Sequence, residues 1–373
     1  MAGLWKKDNG DYERIGRWQI PIHGEAIKPI TAEPARKAIG QENIYERVNI
    51  THLLTDANDP QRIAGAIGFG VRENKFYVFK AKAVLITCGG ASNVFRPRSI
   101  NEGMGRTWYS VFATGSAYGL MIPIGTEMTQ MEHRFVPTRF KDGYGPVGMW
   151  FQYFGAKITN SKGEDYTVTR EAELHKYKPY GLVVPTPTPL RNHQMFLDIK
   201  DGLGPMYMGT DKAMQKIAGG DPKKMRKVQE EAWEDFLDMT ISQALTWASQ
   251  DIRPELTPSE VVLAEPYIMG SHSGESGAWV SGPEDLAPSE YFWGYNKMTT
   301  IKGLFAAGDG VGAAPHKFSS GSFTEGRLAA KAAVNFLNDN PEDSTLNDGQ
   351  VTSLRDKIWA PLERFEKHKG AST

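Results

Sequence analysis

One cysteine, Cys88, stands among 373 residues. That scarcity excludes an internal disulfide and an iron–sulfur cluster ligated by this chain alone, and it fits a reducing cytoplasm. No apolar run reaches membrane-spanning length, and no signal peptide is present. The opening Met1-Ala2-Gly3-Leu4-Trp5 reads as mid-protein sequence. Neither sign of charge dominates: 43 Lys and Arg against 44 Asp and Glu leave a formal net charge of −1. There is thus no general attraction to nucleic acid or anionic membrane, and anion recognition must be local. No His, Cys, Asp and Glu cluster has a metal-ligand spacing, and there is no internal repeat or low-complexity segment.

A further absence concerns the strand, Gly-x-Gly-x-x-Gly, helix opening of a dinucleotide fold. Gly68-Phe69-Gly70 lacks the third glycine and a following helix. Gly308-Asp309-Gly310-Val311-Gly312 has the wrong spacing and comes near the end. Either the chain binds no dinucleotide, or it is a piece of a longer protein whose first βαβ unit lies elsewhere. The order of its later elements favours the second reading.

What is there supports a sizeable core, with 40% hydrophobic and 11% aromatic residues. Residues 1–45 read as a strand-and-loop lead-in, then a short helix over 32–38 with Thr31 as its cap and Pro34 in its first turn. Residues 47–54, 62–70, 75–80 and 83–87 read as strands, mostly rich in Val, Ile, Phe or Tyr. A helix is expected over 104–119, ending near Gly119. Residues 121–200, rich in Gly, Pro and aromatics, read as a substrate domain of short strands and loops. Apolar residues from Val228 to Ala248 recur at three- and four-residue spacing, which predicts a helix over 222–249. Residues 256–300 read as loop, 301–338 as strand, loop and helix, and 349–368 as an amphipathic helix.

Three constellations carry chemistry. The first is the strand Gly303 to Ala307 running into Gly308-Asp309-Gly310, then a Gly/Ser loop at Ser319-Ser320-Gly321-Ser322 entering a helix. Asp309 suits ribityl or ribose hydroxyls, and a helix start at Ser322 offers free N–H groups. The second is the strand ending in Cys88-Gly89-Gly90, which lets backbone approach an adenosine moiety; Cys88 reads as a packing residue rather than a nucleophile. The third is a set of arginines, Arg134, Arg139 and Arg191, whose forks match sulfate, phosphate or carboxylate oxygens. His272, in a loop of small residues, suits a proton donor or anion ligand, with a solvated loop histidine as the alternative. His316 and Lys317 precede the Gly/Ser loop, where either helps bind an anion or simply covers the helix start. Trp108 is a core residue or a stacking partner.

Four long strings carry a family resemblance: Gly16 to Glu25, Cys88 to Arg98, Arg134 to Pro146 and Met269 to Trp279. The chain resembles the alpha (flavoprotein) subunits of dissimilatory adenylylsulfate reductases, in the fumarate reductase/succinate dehydrogenase flavoprotein superfamily. The resemblance implies an α/β fold with α+β elements: a partial, doubly wound FAD-binding domain with an inserted substrate-capping domain. It divides the chain into FAD-binding parts at 1–120 and 276–340, a capping domain at 121–275 and the start of a helical region at 341–373. The implied reaction is reduction of adenylylsulfate to sulfite and AMP, or the reverse, through a flavin N5–sulfite adduct. Arg139 and Arg191 then correspond to anion-binding arginines, His272 to the active-site histidine, Trp108 to an active-site aromatic and Gln152 to a pocket-lining residue. Cys88, Gly89, Gly90, Gly308, Asp309, Ser320, Gly321 and Ser322 correspond to FAD contacts. An iron–sulfur beta subunit is the implied electron partner, and the cytoplasm the implied location. Against the family pattern, the pyrophosphate-binding glycine unit and a C-terminal helical region are missing, so the chain reads as truncated at both ends. Lys317 stands where fumarate reductases carry arginine. The competing readings are a dicarboxylate reductase of the same superfamily and a non-catalytic fragment unable to hold FAD alone.

Overall fold

A computed structural model describes residues 3–6, 12–15, 24–91, 113–132, 134–135, 138–141, 154–182, 186, 188–263, 268–269, 276–312 and 318–369. The chain forms two compact units, each discontinuous in sequence. One comprises Met1–Tyr45, Gly143–Ile158 and Tyr207–Glu260, and the other Glu46–Asp142, Thr159–Met206 and Val261–Thr373.

The first unit is mainly helical. Its longest element, Pro222–Ser249, starts where the sequence places it. Asp221 caps it by accepting the Lys223 and Lys224 N–H groups at 2.9 and 3.4 Å, and Pro222 occupies the first turn, where a missing N–H costs nothing. Val228, Ala232 and Ala244 are buried, as their spacing predicts, and Trp247, outside that pattern, is buried too, whereas Leu237, Leu245 and Ala248 are exposed. The helix near the start runs over Gly24–Ile39, not 32–38, and contains both Pro29 and Pro34. Thr31 is therefore not its cap: its hydroxyl lies inside the helix and donates back to the Ile27 carbonyl at 2.7 Å.

Two of the second unit's sheets, among the described residues, frame its core. Val48–Thr55, Ile63–Gly70 and Phe76–Lys80 form an antiparallel meander with the middle strand buried almost throughout. Val84–Ile86 pairs in parallel with Leu304–Ala306, in register Val84 with Leu304 and Ile86 with Ala306. Their side chains join Leu53, Ile63 and Met121 in one apolar core. On the other side Phe305 packs against Phe336 of the helix Phe318–Asp339. The last helix, Asp348–Lys367, places Trp359 against Phe69 with ring centroids 6.3 Å apart.

Three expectations change in this unit. Within the described part of 104–119 the helix begins only at Ser116, entered through a left-handed Gly115, and it ends at Met121, near Gly119 as expected. The segment 121–200 contains a 13-residue helix, Thr188–Lys200. It was hidden because its buried face is largely polar: Gln194, Met195 and Asp198 are fully buried while Phe196 and Ile199 are exposed. An apolar-period test reads such a helix backwards. The segment 256–300 is not loop throughout, since Ser259–Leu263, Ile268–Met269 and Gly277–Ala278 are strands.

Candidate functional site

The parallel pair brings two glycine turns together from opposite ends of the sequence. Ala307 N–H donates to the Ile86 carbonyl at 3.1 Å, so both chains leave the sheet side by side at their carboxyl ends. Open sheets of this type bind ligands there. After Ile86 the chain turns at Gly89, with φ of +77° and open space where a side chain would project. After Ala306 it turns at Gly308, with φ of +74°, into a single turn over Gly308–Gly310. A Cβ on Gly310 would stand 3.3 Å from the Gly89 carbonyl oxygen. The two turns therefore face one rim, and Asp309 sits half-buried on it.

The helix Phe318–Asp339 approaches the same rim. It begins at Phe318, one turn earlier than the expected start at Ser322. Ser322 is thus a second-turn residue, and its hydroxyl lies 3.4 Å from where a Cβ on Gly308 would stand. Gly321 is half-buried beside it. Ser320 is in the first turn, its side chain outside the described set. Cys88 is not the packing residue expected: it is exposed. Desolvation at its sulfur still pushes the thiol pKa above the ordinary value, which keeps it protonated and a poor nucleophile at neutral pH.

The arginines lie on elements tied to one another. Arg139 is on the strand Thr138–Phe140, paired with Val262, and Arg134 is paired with Met269. Arg191, half-buried, is in the first turns of Thr188–Lys200. The residues next to the two candidate anion ligands join these elements, with the Thr138 hydroxyl donating to Asn192 Oδ1 at 2.9 Å. Further along the helix, fully buried Asp198 accepts from Arg170 Nε at 2.7 Å and from Asn160 Nδ2 at 3.0 Å. Gln194 Nε2 donates to the Arg170 carbonyl at 2.9 Å. Burial drives the Tyr166 phenol up to about 12, with the Arg191 charge acting in the opposite direction. Tyr166 is therefore protonated and uncharged at neutral pH. None of these polar partners was legible in the sequence, which gives no periodic or motif signal for a buried ion network.

The stretch containing His272 is anchored at both ends. Met269 pairs with Arg134, and Gly277 pairs with Thr129. The Tyr118 hydroxyl donates to the Ser276 carbonyl at 2.9 Å inside the core. Gly277 leaves no room for a side chain unless the main chain moves, because a Cβ there would stand 2.5 Å from the Gly310 carbonyl oxygen. His272 itself, Trp108, Gln152, His316 and Lys317 lie outside the described residues, as do the side chains of Arg134 and Arg139. His193 is engaged by the Tyr177 hydroxyl at 2.9 Å.

Comparison with known proteins places this arrangement. No family model matches the chain. Over 98% of its length it is 49% identical to adenylylsulfate reductase subunit alpha of Megalodesulfovibrio gigas, and it covers 56% of that protein. It matches the solved adenylylsulfate reductase from the hyperthermophilic Archaeoglobus fulgidus at 60% identity and a TM-score of 0.90, over 100% of this chain and 59% of that one. A solved adenosine-5-phosphosulfate reductase in complex with sulfite, as a covalent adduct, matches with the same identity, coverage and TM-score. The resemblance read from four stretches thus extends along the whole chain, in sequence and in fold. The chain spans somewhat over half the length of these relatives.

Proposed function

We propose that this chain is part of a flavoprotein subunit that interconverts adenylylsulfate with sulfite and AMP, with FAD as its cofactor. The observation that carries the reading is the match at 60% identity and a TM-score of 0.90 over the whole chain. The residues present fit the cofactor. Two glycine turns at the carboxyl ends of a parallel pair leave open space at Gly89, and Asp309 and Ser322 stand beside Gly308. Gly89, Gly90, Gly308, Asp309, Gly321 and Ser322 would hold FAD, with Cys88 and Ser320 flanking them. When bound, FAD supplies the two electrons that reduction of adenylylsulfate consumes.

The chain's own part is binding and charge. Arg139 and Arg191 grip sulfate or phosphate oxygens and stabilise the negative charge that develops as AMP leaves. His272 supplies a proton or a further anion contact, and Trp108 and Gln152 line the pocket. On this reading residues 1–120 and 276–340 belong to the cofactor domain, 121–275 cap the substrate, and 341–373 begin a helical region. An iron–sulfur beta subunit delivers the electrons, and the enzyme works in the cytoplasm.

The test is the visible spectrum of the purified chain with added FAD, before and after sulfite. A bound flavin that bleaches with sulfite supports the reading. Bound flavin that ignores sulfite and turns over fumarate instead favours a dicarboxylate reductase. A folded chain that leaves FAD free assigns these residues to a substrate-binding part without independent cofactor affinity.

A further inference from the structure

Gly308, where the cofactor turn begins, is held by a side chain that no sequence motif singles out. Glu325 lies three residues beyond Ser322 on the helix Phe318–Asp339, so both project from the same face. Glu325 is almost fully buried, with a relative exposure of 6%. One of its carboxylate oxygens accepts the Gly308 N–H at 2.9 Å. The other receives the Lys297 ammonium, also at 2.9 Å. A buried carboxylate with a main-chain donor and a cation on separate oxygens has little freedom to rotate.

Lys297 is itself held in an uncommon conformation. Its φ is +68°, a left-handed value that a side-chain-bearing residue adopts at a cost of order 1 kcal/mol or more. The surrounding main chain enforces it: Lys297 N–H donates to the Ser281 carbonyl at 2.9 Å, and the Lys297 carbonyl accepts from Ala306 N–H at 3.2 Å. The strand Leu304–Ala306 that leads into the turn thus also fixes the lysine that fixes Glu325. Lysine, glutamate and glycine form one closed connection around the start of the turn.

We propose that Glu325, locked by Lys297, is the positioning residue of this turn: it sets the left-handed Gly308 and thereby presents Asp309 to the cofactor. This rests on the reading of Gly308 and Asp309 as FAD contacts. The ion pair explains why a buried charge is kept beside an apolar core, where a hydrophobic pair of the same volume would serve stability as well.

The experiment compares Glu325→Ala, Glu325→Gln, Lys297→Met and the double variant Lys297→Met/Glu325→Gln with the unchanged chain, using Asp309→Ala as the site control. Site-resolved amide hydrogen exchange at Gly308, without cofactor, and the FAD dissociation constant are measured, and circular dichroism checks the fold. Glu325→Ala should speed exchange at Gly308 by about tenfold or more, the scale of a lost charge-assisted hydrogen bond. Glu325→Gln should also loosen the turn, because its NH₂ group would oppose the ammonium. The double variant should recover, since the amide oxygen can still accept from Gly308 while its NH₂ group meets no cation. FAD affinity should follow the same order, with the double variant closest to the unchanged chain. Unchanged exchange at Gly308 in a folded Glu325→Ala variant overturns the proposal. So does faster exchange with unchanged FAD affinity while Asp309→Ala weakens FAD. If Asp309→Ala leaves FAD affinity unchanged, or the unchanged chain holds no FAD, the assignment of the site fails instead, and the exchange result still decides whether Glu325 sets the turn.

Discussion

The rim of glycine turns and the arginine-bearing segment are held by different physics. At the rim, main chain meets main chain: Ala307 bonds to Ile86, Gly310 abuts the Gly89 carbonyl, and Gly277 passes where no Cβ fits. Beneath it lies an apolar core with Ile63, Leu304 and Ala306 fully buried. In the segment around Arg191 the ties run between polar side chains: Thr138 to Asn192, Gln194 to a carbonyl, and Asp198 to Arg170 and Asn160. A surface that must approach a large flat ligand is best made of backbone, which has little to rearrange. A surface that must hold long cationic side chains against an anion needs a scaffold of fixed charges and hydrogen bonds. The first should respond chiefly to added volume, and the second to lost polar atoms.

Gly277→Ala tests the first side most severely. The new methyl would overlap the Gly310 carbonyl oxygen and the Val311 carbonyl carbon, at 2.5 and 2.7 Å, and neither is a flexible side chain. A loss of about 3 kcal/mol or more is expected in urea unfolding. A loss below about 1 kcal/mol would mean that the rim can yield. Asp198→Ala tests the second side. It strips a buried carboxylate from Arg170 and Asn160, but Arg170 keeps Asp201. The expected cost is therefore about 2–3 kcal/mol, below the full cost of breaking a buried pair.

The polar tie between the meander and the segment before the last helix should show in acid. Burial alone would raise the Asp56 carboxyl, but the Thr345, Asn58 and Asp59 amides and the Arg62 charge outweigh it and hold its pKa below the ordinary 3.8. A depressed folded pKa contributes stability that is present above pH 3.8 and lost as pH falls through the lower folded value. Asp56→Asn should cost about 1–2 kcal/mol at pH 7, and its gap from the unchanged chain should close below pH 4. A gap independent of pH would assign the effect to shape rather than charge. Thr138→Val removes one neutral hydrogen bond of 2.9 Å at nearly constant volume and should cost about 1 kcal/mol.

The smallest effect concerns His52. Burial, then the Lys357 charge, lowers its pKa from the ordinary 6.5. A depressed histidine pKa means that the unfolded chain takes up protons first as pH falls below 6.5. Stability should thus decline slightly from there down to the folded value, and His52→Gln should flatten that slope. A slope unchanged in the variant would place the titration elsewhere.

Much of the glycine-turn rim was legible. The strand ends at Ile86 and Ala306 are marked by apolar runs stopping at small residues, and the Gly308-Asp309-Gly310 turn announces itself by composition. The helix 222–249 was legible because its apolar residues recur at three- and four-residue spacing. Thr188–Lys200 was not, because its buried positions include Gln194 and Asp198. The full extent of the helix Gly24–Ile39 is not legible, because Pro29 is a local signal against helix that the chain overrides and Thr31 before Pro34 resembles a helix start. Glu325 escaped notice for a different reason: its partners Gly308 and Lys297 are 17 and 28 residues away, and no spacing rule connects them.

The sequence alone determined which strands are apolar enough to be buried, where glycine permits close approach, where the long helix begins, and the likeness to a reductase subunit. All of these follow from local properties of neighbouring residues. Only the tertiary structure decided that the turns at Gly89 and Gly310 meet, that the strand of Arg139 is bonded to the helix of Arg191, and that one carboxylate holds both Lys297 and Gly308. Those pairings depend on hydrogen bonds and ion pairs of a few ångströms between residues remote in sequence. Their energy is realised only when folding removes water and brings the partners to contact distance.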